Sequence, residues 1–82
     1  MRARVFRRAN DQTYTYDGEV EATSPDDAWR QLQPHQPLHQ GDVVYVEDIY
    51  RELIGDGGWK VIPPGGLTRS LYALASDQNP TS

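Results

Sequence analysis

The chain has no cysteine, one methionine and one phenylalanine in 82 residues. Without thiols there are no disulfides and no thiolate-based zinc site, and the expected setting is a reducing compartment, read here as the cytoplasm. Long apolar runs are missing too. None approaches the roughly 20 residues that cross a bilayer, so no membrane span is expected. Basic charge is scarce outside the start of the chain. Arg2, Arg4, Arg7 and Arg8 fall in the first eight positions, and the remainder carries four basic against twelve acidic side chains, for a net charge of −4. An acidic bulk repels a phosphate backbone, so nucleic-acid binding is disfavoured except through the arginine-bearing start. The stretch after those arginines, Ala9-Asn10-Asp11-Gln12, is polar rather than an apolar h-region, so no signal peptide is expected.

Phosphate loops are absent as well. Gly55-Asp56-Gly57-Gly58 and Gly65-Gly66 lack the strand–loop–helix setting and the lysine spacing such a loop requires, and they read as turns. His35 and His39 are four apart, but Pro37 between them breaks the helical geometry that would align two imidazoles. With no cysteine to complete a ligand set, they read as solvated loop histidines, and no metal or other cofactor is expected. Asp17, Glu19 and Glu21 lie on an alternating, exposed strand face with no desolvated pocket to shift a carboxylate pKa, so no catalytic residue is assigned.

What the chain does have is β-forming sequence broken by clear turn signals. Arg2–Arg8 reads as a strand, although Val5 and Phe6 would point to opposite faces. Residues 13–23 alternate cleanly, placing Tyr14, Tyr16, Val20 and Ala22 on one face and the acids and threonines on the other. Gly18 interrupts that apolar face and marks a bulge or a close neighbour. The two strands should form a hairpin around Asn10-Asp11. Ser24-Pro25-Asp26-Asp27 is a helix start: a serine cap, proline in the first turn, and two aspartates facing the positive end of the helix dipole. The helix ends near Pro34 and is too short to stand alone, so it must pack on the sheet, with Trp29 as the expected anchor.

Residues 41–62 then read as a three-stranded meander, turning at Glu47-Asp48 and at Gly55–Gly58 and closed by Pro63-Pro64. Residues 67–75 read either as a short helix with Leu67, Leu71 and Leu74 on one face or as a segment along a sheet edge, and 76–82 as a disordered tail. The expected fold is therefore α+β: an antiparallel sheet in ββαβββ order, one short helix on one face, and a C-terminal segment after a single domain over 1–66.

Ser24-Pro25-Asp26-Asp27-Ala28-Trp29, Gly41-Asp42-Val43-Val44 and Gly58-Trp59-Lys60-Val61-Ile62 together resemble the YodL-like small domains of phage, plasmid and other mobile-element proteins. The resemblance covers about residues 3–62. It implies a strand pair, an acidic-start helix and a closing Gly-aromatic-Lys strand, in a setting of conflict between mobile elements and their hosts. It carries over no catalytic residue.

Two functions follow as expectations. The first is a non-enzymatic protein-binding module, an inhibitor or adaptor acting on a host protein, with contacts through a sheet edge or through Tyr45, Tyr50 and Trp59. The second is a nucleic-acid-binding regulator using Arg2, Arg4, Arg7 and Arg8 with Tyr14 and Tyr16 as a stacking platform. Against the second stands a simpler use of those arginines, pairing with Glu19 and Glu21 on the neighbouring strand. An open sheet also has edges that a second copy of the chain would cover in a homodimer.

Overall fold

The computed structural model describes residues 1–10, 12–55 and 57–77. The elements follow one another as β1 (Arg2–Arg8), β2 (Tyr14–Glu21), α1 (Pro25–Leu32), β3 (Val43–Val46), β4 (Ile49–Leu53), β5 (Trp59–Ile62), a 3-10 turn (Pro64–Gly66) and α2 (Arg69–Asp77). The fold is α+β, with five antiparallel strands in the order β2-β1-β3-β4-β5 and two short helices. β2 and β3 both pair with β1, so they run parallel to each other, and α1 carries the chain across β1 between them. The turn residues Asp11 and Asp56, and the part of the expected tail beyond residue 77, lie outside the described residues. Ser76 and Asp77, read as the start of that tail, belong to α2.

Helix α1 begins as its sequence requires. The Ser24 hydroxyl accepts from the Asp27 N–H at 3.1 Å, and the Asp27 carboxylate accepts from the Thr23 N–H at 3.0 Å. Its central contact is Ala28, which is fully buried, with Pro25 beside it. Trp29, expected as the anchor, is half-buried and packs at the rim of the same cluster, about 4.0 Å from where a side chain on Gly57 would begin. A small residue at the crossing lets the short helix lie close to β3, which leaves the indole no room beneath it.

The main departure from the sequence reading lies in β2. Its apolar residues do not share one face. Register against β1 runs Arg4↔Glu19 and then Phe6↔Tyr16, so Asp17 and Gly18 together oppose Val5. This is a β-bulge, and Gly18 supplies the positive φ of 93° that it needs. The extra residue shifts the alternation by one. Tyr14 and Tyr16 fall on the face with Phe6, Val43 and Leu71, whereas Val20 and Ala22 fall on the α1 face with Ala3, Val5, Val44 and Leu53. The acids divide in the same way: Asp17 lies with Arg7, and Glu19 lies with Arg2 and Arg4.

The imperfect alternation of β1 has the same explanation. Val5 and Phe6 point to opposite faces and both are buried, because α1 covers one face of the sheet centre and α2 covers the other. Two thin clusters replace one large core. The β3–β4 turn is Glu47-Asp48, with φ of 56° and 62°. Positive φ at both central residues matches the strand twist in a two-residue hairpin, at a cost of about 1 kcal/mol per non-glycine residue. Asp48 is held there by the Tyr45 hydroxyl, which donates to its carboxylate at 2.8 Å.

Candidate functional site

The arginines of β1 are occupied by the chain itself. Arg2 and Arg4 both pair with Glu19, at 2.9 and 3.5 Å. The first contact raises the Arg2 pKa, chiefly through its hydrogen bond to Glu19. Arg7 is a structural clamp rather than a surface charge. Its guanidinium donates to Asp17 at 2.8 Å, to the Gln36 carbonyl at 2.7 Å, to the Pro37 carbonyl at 2.8 Å and to Asp42 at 3.3 Å. Asp42 is buried and also accepts from the backbone N–H groups of Arg8 and His39, both at 2.9 Å. One carboxylate and one guanidinium thus fasten the proline-rich loop to the sheet. Arg8 is exposed, with its stem over Gly41 and its Nε donating to the Asn10 carbonyl at 3.0 Å.

The four tyrosines of the sheet are likewise drawn inward, whereas Tyr72 on α2 is exposed. Tyr14 is buried, and Tyr16 lies with its ring centroid 5.6 Å from that of Phe6. Tyr45 and Tyr50 stack at 4.4 Å with the Arg4 guanidinium 6.0 Å from the Tyr45 ring, beside the end of α2. Burial raises the hydroxyl pKa of all four, and at Tyr45 the bond to Asp48 adds to the effect. Trp59 is half-buried against the α1 cluster, and its indole N–H donates to Asp26 at 2.7 Å. Asp17, Glu19, Asp26, Asp27, Asp42 and Asp48 therefore already serve the fold. Among the described residues no three His, Cys, Asp or Glu side chains group to hold a metal ion, and no helix is long and apolar enough to cross a membrane. A shallow cleft of about 330 Å³ between β5 and α2 is lined by Arg8, Tyr14, Glu52, Lys60, Ile62 and Leu71.

The two sheet edges differ sharply. On β2, the bulge bends the strand, and Asp17, Glu19 and Glu21 charge it. Its first backbone groups are also sealed: the Ser70 hydroxyl of α2 accepts from the Tyr14 N–H at 3.0 Å and lies 3.5 Å from the Tyr14 carbonyl, to which it donates. Among the described residues, β5 has no bulge and no side-chain cap of this kind, although Lys60 stands on it and Pro63 closes it. The Ile54 N–H donates to the Gly58 carbonyl, so the hydrogen-bonded positions of this ladder are Gly58, Lys60 and Ile62. The N–H and C=O groups of Trp59 and Val61 therefore point away from the sheet. Val61, on the Trp59 face of that edge, is 55% exposed.

Sequence reasoning named Trp59 but not the edge it belongs to, and it missed Ser70. Nothing local marks a serine on a nine-residue helix as the cap of a strand 56 positions earlier. Neither a family model, nor a curated protein, nor a solved structure matches this chain.

Proposed function

We propose that the chain is a small non-enzymatic protein-binding module that engages its partner by strand addition at β5. The observation that carries this reading is the contrast between the edges: β2 is bulged, charged and capped by Ser70, whereas β5 presents free backbone groups beside the exposed Val61. An extended segment laid along β5 satisfies those groups and covers Val61. The engagement of Asp17, Glu19, Asp26, Asp27, Asp42 and Asp48 in structural bonds supports a role without reactive chemistry. Arg2, Arg4 and Arg7 are spent on internal pairs, which weighs against the nucleic-acid regulator. An inhibitor or adaptor of the kind implied by the YodL-like resemblance, acting on a host protein in the cytoplasm, is the form of the function we favour.

The test is site-specific photo-crosslinking in cells expressing the full chain, with the crosslinker at position 61 and, as the control, at position 15 on β2. A discrete protein adduct from 61 and none from 15 is expected. Adducts of equal yield from both positions, or none from 61, would refute the reading.

A further inference from the structure

We infer that the β5 edge selects an acidic extended segment and rejects a second copy of itself, and that Lys60 makes both choices. This rests on the strand-addition reading above. The outward groups of Trp59 and Val61 set the geometry of any added antiparallel strand: its residues opposite Trp59 and Val61 form hydrogen-bonded pairs, and its residue opposite Lys60 forms a non-hydrogen-bonded pair. Non-hydrogen-bonded pairs bring side chains closest, with Cα atoms about 4.5 Å apart against about 5.5 Å for hydrogen-bonded ones. Lys60 faces Glu52 across β4 in the wider kind of pair, and it takes part in none of the ion pairs among the described residues. An acid on an incoming strand would therefore sit nearer the Lys60 ammonium than Glu52 does.

Self-pairing meets the opposite outcome. The antiparallel register that uses all four outward groups pairs Trp59 with Val61 of a second copy, and it sets Lys60 directly against Lys60. Like charges directly opposite are destabilising, and edge lysines are a recurrent device against edge-to-edge association. The recognised pattern is then apolar–acidic–apolar, with the apolar residues lying on the face of Trp59 and Val61. Arg51, the neighbour of Val61 on that face, is also outside the ion pairs among the described residues, so each face near this edge carries a cation without such a partner there.

The full chain, labelled with nitrogen-15, is titrated to millimolar concentration with the peptide Ser-Thr-Val-Glu-Val-Thr-Ser and with its twin carrying Lys for Glu, both blocked at their ends. Expected are shifts centred on the Trp59 and Val61 amides, with binding of the acidic peptide about five-fold tighter than of its twin. Lys60→Glu should reverse the preference, and Lys60→Gln should abolish it. Equal affinity for the two peptides would overturn the inference while leaving strand addition intact, and persisting crosslinks from position 61 would mark that case. Absence of shifts at Trp59 and Val61 with either peptide, or a dimer in light scattering whose interface protects those amides, would also overturn it.

Discussion

Deleting Gly18 is the sharpest probe of how the sheet is built. If Asp17 and Gly18 share one partner in β1, removing the glycine leaves Tyr14 and Tyr16 facing α2 and leaves Val20 and Ala22 facing α1, now in unbroken alternation. The Arg7–Asp17 and Arg4–Glu19 pairs keep their faces. What is lost is local twist, offset by the roughly 0.5–1 kcal/mol that a glycine costs inside a strand, so the net change should stay within about 1 kcal/mol. A regular β2 with all four apolar residues on one face would respond quite differently. The deletion would swing Val20 and Ala22 to the opposite face and bring Glu19 and Glu21 against the apolar cluster. At about 0.8 kcal/mol per buried methylene, with the desolvation of two carboxylates added, the loss would be at least about 3 kcal/mol. Urea unfolding at constant m-value reads the difference, and nuclear Overhauser contacts from Val20 into the α1-side cluster check the geometry. A loss of 3 kcal/mol or more, or Val20 contacts moved to Phe6, would refute the bulge.

Two further outcomes follow from the side-chain networks. Arg7→Met should cost about 2 kcal/mol in chemical denaturation, because it leaves the buried Asp42 without its cation and frees the loop carbonyls of Gln36 and Pro37; an unchanged midpoint would mean the clamp carries no weight. Raising the pH above 10 should destabilise the fold. The hydroxyl pKa values of Tyr14, Tyr16, Tyr45 and Tyr50 are raised above the ordinary tyrosine value of about 10 in the folded state, so the unfolded chain releases those protons first. Their contribution is complete below that pH and is lost as the pH rises through the folded values, giving a falling stability curve that Tyr50→Phe should flatten.

Much of the architecture is legible in the residues. Ser24-Pro25 fixes where α1 begins, Glu47-Asp48 and the glycines of 55–58 divide the meander, and Pro63-Pro64 closes it. The face assignments of β2 are not legible, because a period-two pattern looks the same whether or not one residue bulges out of register. Gly18 announces a disturbance without saying which way the strand resumes. Residues 67–75 admit two readings, helix or sheet edge, for a similar reason. Leu67, Leu71 and Leu74 suit a helix, but only the apolar sheet face of Phe6, Val43 and Tyr14, a product of the tertiary fold, tells them where to pack. The candidate site lies further still from local pattern. Whether Trp59 and Val61 show free backbone groups depends on the parity of the β4–β5 register, which no composition or motif records. The Ser70 cap on the start of the other edge is a tertiary contact throughout.

Amide hydrogen exchange in the isolated chain tests most directly whether β5 is the open edge. The Trp59 and Val61 amides should exchange near the rate of unstructured chain, while Lys60 and Ile62 beside them and Tyr14 at the capped edge stay protected, with Ser70→Ala releasing Tyr14 alone. Protected Trp59 and Val61 amides in the monomer, or a freely exchanging Tyr14, would contradict it.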